Sequence, residues 1–193
     1  MRSLSLLVAA LFAVASPLAA QSASRPHTRQ GFWIGFGLGP GSATAECNSC
    51  DGDRTTGFSG YFKLGGTISP SFLLGFEGNG WERSHSGVDE SLAFGSIALL
   101  WYTSRTGAFF LKVGLGGMQY TANDGTDELE MTAPAASFGL GYEFRVTRNM
   151  SIAPFWNVLF TSPVEAKING QPVPTGEDVT VSLVQLGAGL TWH

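Results

Sequence analysis

The sequence predicts an all-β protein, an eight-stranded antiparallel up-and-down transmembrane β-barrel, and three observations lead there. The chain opens with an export signal. It carries few charges for its many aromatic residues and glycines. Its strand-like segments alternate apolar with small or polar residues, and the links between them are short and long in turn.

Met1 and Arg2 make a short basic start, Leu6 to Ala15 (LLVAALFAVA) is an apolar run, and Pro17-Leu18-Ala19-Ala20 leads into Gln21. This is the pattern of a secretory signal peptide over residues 1–20, with cleavage expected after Ala20. The run is too short to span a bilayer as a helix. Residues 21–30 then form an N-terminal leader, and residues 31–193 hold a single barrel domain. Only 13% of the residues are charged, against about 25% in an ordinary soluble domain. No later stretch approaches the eighteen or so continuous apolar residues that a spanning helix needs. An exported chain of this kind points to strands that cross an outer membrane.

Eight strands are expected, over about 30–39, 57–68, 72–81, 91–102, 108–120, 133–145, 150–160 and 180–192. In the first, Phe32, Ile34, Phe36 and Leu38 alternate with Trp33, Gly35, Gly37 and Gly39. The second sets Phe58, Phe62, Leu64 and Ile68 against Ser59, Tyr61, Lys63 and Thr67. The third, fifth and sixth repeat the pattern. In the last, Val184, Leu186, Ala188, Leu190 and Trp192 oppose Gln185, Gly187, Gly189 and Thr191. The fourth and seventh are apolar on both faces. Pro134 and Pro154 suggest bulges or strand ends.

Ser69-Pro70-Ser71, Thr103–Gly107 and Val146–Asn149 are short links, whereas 40–56, 82–90, 121–132 and 161–179 are long. An even-stranded barrel with both ends of its chain inside has tight periplasmic turns and larger extracellular loops, which gives this alternation. With the apolar faces toward lipid, Lys63, Glu77, Lys112, Glu143 and Arg145 all point inward. Eight strands enclose an interior that side chains just fill. Those five residues therefore read as a paired polar network, since unpaired buried charge is costly. A plug is expected rather than a pore. Aromatic belts are expected from Phe32, Phe72, Tyr102, Phe109, Phe144 and Trp192 at the periplasmic rim. Phe58, Trp81, Tyr120 and Phe160 would make the outer belt.

Cys47 and Cys50 (CNSC) fall in the first long link, with acidic flanks and no helix pattern, so they read as a disulfide that stiffens the loop. Of the fifteen Asp and Glu, only Glu77 and Glu143 fall within expected strands, leaving thirteen in outer loops beside Arg54, Arg83 and Lys167. So acidic a face disfavours nucleic acid and other polyanions. Asp51-Gly52-Asp53 and Asn123-Asp124-Gly125-Thr126-Asp127-Glu128 resemble fragments of calcium loops but do not complete the ligand pattern, and neither a metal nor a cofactor is expected.

Residues Gln185 to Trp192 resemble the carboxy-terminal β-signal of outer-membrane barrels, with Gln185, Gly187, Leu190 and Trp192 at its polar, glycine, hydrophobic and aromatic positions. The resemblance implies recognition by the barrel-assembly machinery. His193 displaces the signal by one place and lies out of phase with Trp192, so it is expected to be dispensable. From Gly31 to Trp192 the layout resembles the small eight-stranded outer-membrane barrels of the OmpA, OmpX and opacity-protein type. Such likeness is specific for fold and weak for function.

Some barrels of this size modify lipid A, using His with Ser and an acid. Here His85, Ser86 and Glu82 or Asp89 are the candidates, but the expected His-x-Ser-Asn motif is missing. A soluble periplasmic ligand-binding barrel would need a polar exterior. The reading is thus a non-enzymatic, monomeric outer-membrane barrel with catalytic residues absent and acidic loops outside. It would contact outer-membrane lipids and lipopolysaccharide, and serve envelope stability or surface interaction and adhesion through an unidentified ligand.

Overall fold

The computed structural model describes residues 29–46, 52, 54–164, 167–172 and 179–193. The signal-peptide segment, most of the leader and the Cys47–Cys50 pair lie outside them. Eight long strands form the wall: β1 Phe32–Glu46, β2 Thr55–Ser69, β3 Phe72–His85, β4 Val88–Tyr102, β5 Phe109–Asn123, β6 Glu128–Tyr142, β7 Met150–Thr161 and β8 Thr180–Trp192. Each pairs antiparallel with its neighbours in sequence, and β1 pairs with β8 to close the barrel. Closure gives every strand a partner on both sides, so the wall has no edge strand.

The wall is apolar outside and charged inside. Phe36, Phe62, Phe76, Ile97, Leu115 and Leu186 face outward and are about half exposed or more, whereas Lys63, Glu77 and Lys112 are buried. A protein folded in water has the reverse arrangement. At the end away from the residues flanking the wall, the outward positions turn polar at Glu82, Ser91, Gln119 and Thr132. That level is the natural limit of the apolar band.

Two expected long loops are strands instead. β3 and β4 continue to a two-residue turn at Ser86-Gly87, where both residues have positive φ (54° and 82°). This is the geometry of a tight hairpin turn, and glycine adopts it without steric cost. β5 and β6 likewise run on to a short link over 124–127. A short hairpin, Lys167–Ile168 with Gln171–Pro172, lies against the far end of β6 through Leu129 and Glu130. The acidic residues Glu82, Asp89, Glu90, Glu128 and Glu130 therefore stand on a projecting sheet and not in loops. These segments lack apolar alternation because their outward face meets water, so their periodicity was hidden.

The ambiguous strands are resolved by burial. β4 turns Leu92, Phe94, Ala98 and Leu100 inward, and β7 turns Ala153, Phe155, Asn157 and Leu159 inward. Pro154 makes a gap in the ladder rather than a bulge. Pairing of β6 with β7 stops at Gly141↔Phe155 and resumes in the same register at Phe144↔Ile152, where Phe144–Arg145 continues β6. Proline has no N–H to donate there, while on the β5 side the Glu143 N–H continues the ladder by donating to the Ala108 carbonyl at 2.9 Å. Pro134 sits where β6 parts from β7, whose last pair is Ala135↔Thr161. The aromatic belts also need correction. Phe32, Phe72, Phe144, Trp192, Phe58 and Phe160 face outward, but Tyr102, Trp81 and Tyr120 are buried inside. Trp81 donates its indole N–H to the Gly41 carbonyl at 3.0 Å.

Two apolar layers fill the interior. One, away from the flanking residues, gathers Trp81, Leu92, Phe94, Met118, Leu159 and Leu183. The other gathers Trp33, Leu73, Leu100, Tyr102 and Phe110 near them. Between lies the layer of buried Lys63, Glu77 and Lys112. Room for it comes from inward glycines. A methyl on Gly37 would come within 2.5 Å of the Tyr61 ring and 2.9 Å of Phe155, while outward Gly80 has no atom within 4 Å of that position. Gly37→Leu should therefore cost about 1–3 kcal/mol by overpacking, and Gly80→Leu should stay within about 0.5 kcal/mol of the parent. Unfolding by denaturant in lipid or detergent measures both.

Candidate functional site

Three groupings of polar side chains stand out, one in mid-barrel and one at each end. In mid-barrel, Lys63 on β2 and Glu77 on β3 are directly opposed across the strand pair, and β5 brings Lys112 to the same level. Glu77 Oε1 accepts from Lys112 Nζ, and also from Asn79 Nδ2 at 2.8 Å. Lys63 lies over two rings, its Nζ 5.0 Å from the Tyr61 centroid and 5.1 Å from that of Phe110. Tyr61 in turn packs edge-on to Phe155 at 4.7 Å. Nearby, Asn157 Nδ2 donates to Gln185 Oε1 at 3.3 Å. A cation facing an aromatic ring is attracted by the ring's quadrupole, so the second lysine is held without its own carboxylate. Apolar layers above and below enclose this polar layer, so its chemistry is that of a packed core.

At the end near the flanking residues, Glu143 collects ligands from across the mouth. Arg29, just before β1, is fully buried and places Nη2 3.3 Å from Glu143 Oε2, with its guanidinium 3.4 Å from the Tyr102 ring centroid. The Tyr102 hydroxyl donates to Glu143 Oε1 at 2.6 Å. His193 Nε2 lies 3.3 Å from the same oxygen, and its side chain is 2% exposed. His193 is therefore not a spare residue outside the pattern. Being one step from outward-facing Trp192, it points inward, where Glu143 receives it. Arg145 is buried one pair further along the same inward face. Sequence periodicity placed Glu143 and Arg145 inside but missed Arg29, because a leader has no alternation to read. The signal for Tyr102 was its parity with Ala98 and Leu100.

At the opposite end, Glu90 accepts from Tyr120 Oη at 2.5 Å and from Arg83 at 3.2 Å. Glu90 and Tyr120 line a cavity of about 200 Å³ together with Ala43, Thr44, Ala45 and Thr55. His85 and Ser86 sit at the exposed hairpin tip, and no hydrogen bond joins either to Glu82 or Asp89 among the described residues. At the β5–β6 turn, Asp124 Oδ1 accepts the amides of Asp127 (2.8 Å) and Thr126 (2.9 Å). These donors hold the Asp124 carboxyl below its ordinary range. Among the described residues, no three His, Cys, Asp or Glu gather to hold a metal ion. Asp51, Asp53, Cys47 and Cys50 fall outside those residues.

In the last strand, Gln185 points inward and is fully buried, Gly187 lies against the β1 backbone, and Leu190 and Trp192 face outward. Trp192 pairs with Ile34 across the β1–β8 seam and is 56% exposed.

No protein-family model and no curated protein matches the sequence. Solved structures do match. Neisserial surface protein A superposes with a TM-score of 0.61 at 15% identity, over 86% of this chain and 99% of that one. Outer membrane protein OprG from Pseudomonas aeruginosa gives 0.52 at 14% identity, over 88% and 100%. Ail, the attachment invasion locus protein of Yersinia pestis, gives 0.50 at 15% identity, over 84% and 99%. The chain has the fold of the small eight-stranded outer-membrane β-barrels, and at such identities the likeness is one of fold.

The buried pair predicts an asymmetry between single and double changes. Glu77→Gln strips the one carboxylate that the described residues place in a layer with two lysines and should cost about 3–5 kcal/mol. Replacing Glu77 and Lys112 together by Met should cost less than the Glu77→Met and Lys112→Met changes summed. Equilibrium unfolding of the three variants decides it, and a double mutant as unstable as the sum of the singles would contradict the pairing.

Proposed function

We propose that the protein is a non-enzymatic, monomeric outer-membrane barrel whose working surface is the acidic sheet projecting from the far end, in a role of envelope stability or surface interaction. The supporting observation is the filled interior. Two apolar layers and a polar layer occupy the lumen, so transport and catalysis inside have no room, and the exposed sheet is the surface left for recognition. On this reading the short turns face the periplasm and the projecting strands face outward. The wall contacts outer-membrane lipids and lipopolysaccharide, with an indentation of about 640 Å³ between Leu38, Phe58 and Phe62, floored by Gly60 and Gly80.

Charge sets the partner's character. The projecting end carries Glu82, Asp89, Glu90, Asp124, Asp127, Glu128 and Glu130 against Arg54, Arg83 and Lys167. Such a surface favours cationic partners and repels polyanions. Ail has been crystallised with a heparin analogue, sucrose octasulfate, and this chain's surface suits the opposite charge. A disulfide between Cys47 and Cys50 would stiffen the adjoining loop, and the segment over residues 1–20 would direct export. Gln185, Gly187, Leu190 and Trp192 would present the β-signal to the barrel-assembly machinery.

Placement is checked by fractionation and by gel mobility. The protein should sediment with the outer membrane and migrate faster unheated than boiled, and recovery in the soluble periplasm without a heat shift would overturn the proposal. In planar bilayers it should show no steady nanosiemens conductance. Trp192→Ala removes an aromatic worth roughly 1–3 kcal/mol of apolar burial at the interface. It should lower the amount of heat-modifiable protein in the outer membrane, and unchanged yield would remove Trp192 from the signal.

A further inference from the structure

The cluster on Glu143 joins parts of the chain that are far apart in sequence and come from several sides of the mouth. Arg29 and His193 flank β1 and β8, the two strands of the seam, whereas Glu143 lies beyond β6 on the other side of β7. The ligation reaches all three short turns as well. Arg29 Nη2 donates to the Gly107 carbonyl at 2.6 Å, and Nη1 to that of Pro70 at 3.5 Å. The His193 N–H donates to the Asn149 carbonyl at 2.8 Å. Pro70, Gly107 and Asn149 lie in the β2–β3, β4–β5 and β6–β7 turns respectively.

We propose that Arg29 and His193 form a latch on Glu143 that braces this mouth of the barrel, and that its Arg29 half is set only after the β1–β8 seam has closed. Order follows from geometry. His193 follows the last β7–β8 pair, Trp192↔Met150, and reaches Glu143 through the β6–β7–β8 ladder, whereas Arg29, just before β1, comes to the same carboxylate only when Ile34 pairs with Trp192 and Phe36 with Leu190. Before that pairing, bringing Arg29 to Glu143 would carry the loop-closure entropy of the long segment between them. After it, the groups are preplaced within a few ångströms. The Tyr102 ring and hydroxyl supply a rigid seat, since the ring stacks on the guanidinium while the hydroxyl holds the carboxylate. A charge pair sealed from water in this way is strong once made and costly to break singly. The latch therefore holds the seam shut where β1 and β8 end, without taking part in their pairing.

The test is hydrogen exchange on the full mature barrel in lipid, comparing the parent with Arg29→Gln and with a chain lacking His193. Arg29→Gln should speed exchange about tenfold or more at Ile34–Phe36, Leu190–Trp192 and the 103–107 turn. The β3–β4 hairpin at the far end should keep the parent rate. Loss of His193 should give the same pattern, more weakly, with a lower temperature for the gel shift. Seam exchange unchanged in Arg29→Gln, or accelerated equally along every strand, would overturn the latch. Failure of Arg29→Gln to assemble would also overturn it, because the contact would then be needed before the seam closes. Glu143→Gln combined with Arg29→Gln supplies an independent reading, as the two effects should be far from additive. Additive effects would show that Arg29 and Glu143 act separately.

Discussion

Closure of the wall is the constraint from which the rest of the molecule follows. Once β1 pairs with β8, each strand residue has two destinations, the lipid side or the interior, and chain parity chooses between them. The interior of eight strands is narrow, so a bulky residue on one strand demands a small one across from it. Tyr61 occupies space left by Gly37 and Gly189, and Lys63 passes over Gly35. The glycines thus act together with the large inward residues, each set meaningless without the other. Charge can enter this interior only with partners, which is why Glu77 sits between Lys112 and Asn79 and why Lys63 rests on rings.

Parity also explains what could be read in the sequence. Strands β1, β2, β3, β5, β6 and β8 meet lipid along a strongly apolar face, and their alternation is plain. β4 and β7 hid their faces because their inward residues belong to the apolar layers inside, so both sides looked alike. Their own neighbours hold the answer: Tyr102 shares parity with Ala98, and Asn157 with Phe155. Nearness to strand ends points Trp81 and Tyr120 to the lipid belt, a property of position alone. Their parity with Asn79 and Met118 puts them inside, and period outranks proximity in a strand.

The projecting strands were harder for a physical reason. Beyond Glu82 and Ser91 neither face of β3 or β4 meets hydrocarbon, so the pattern that marks a strand vanishes although the strand continues. Backbone pairing alone carries it, and backbone pairing leaves no trace in side-chain hydropathy. Ser86-Gly87 was the remaining signal, a dipeptide suited to a tight hairpin turn. The Glu143 cluster was illegible on different grounds. Its members come from the leader, from the end of β4, from beyond β6 and from the residue after β8, and no local window contains them.

The two ends of the barrel solve opposite problems. At one, Arg29, Tyr102, Glu143 and His193 withdraw charge from water and tie short turns together. At the other, carboxylates stand along a sheet whose outward side is wet, and ion pairs such as Arg83–Glu90 are partly exposed, where pairing contributes little to stability. An excess of acid that adds little to folding, placed on a paired and therefore ordered sheet, keeps its charge available to something else. On the proposed reading this order suits a recognition surface: the backbone ladder fixes the positions of the carboxylates, and their wet side stays open to a partner. The filled, braced end and the open, acidic end are thus two consequences of one wall, the first holding the strands in register so that the second can present them.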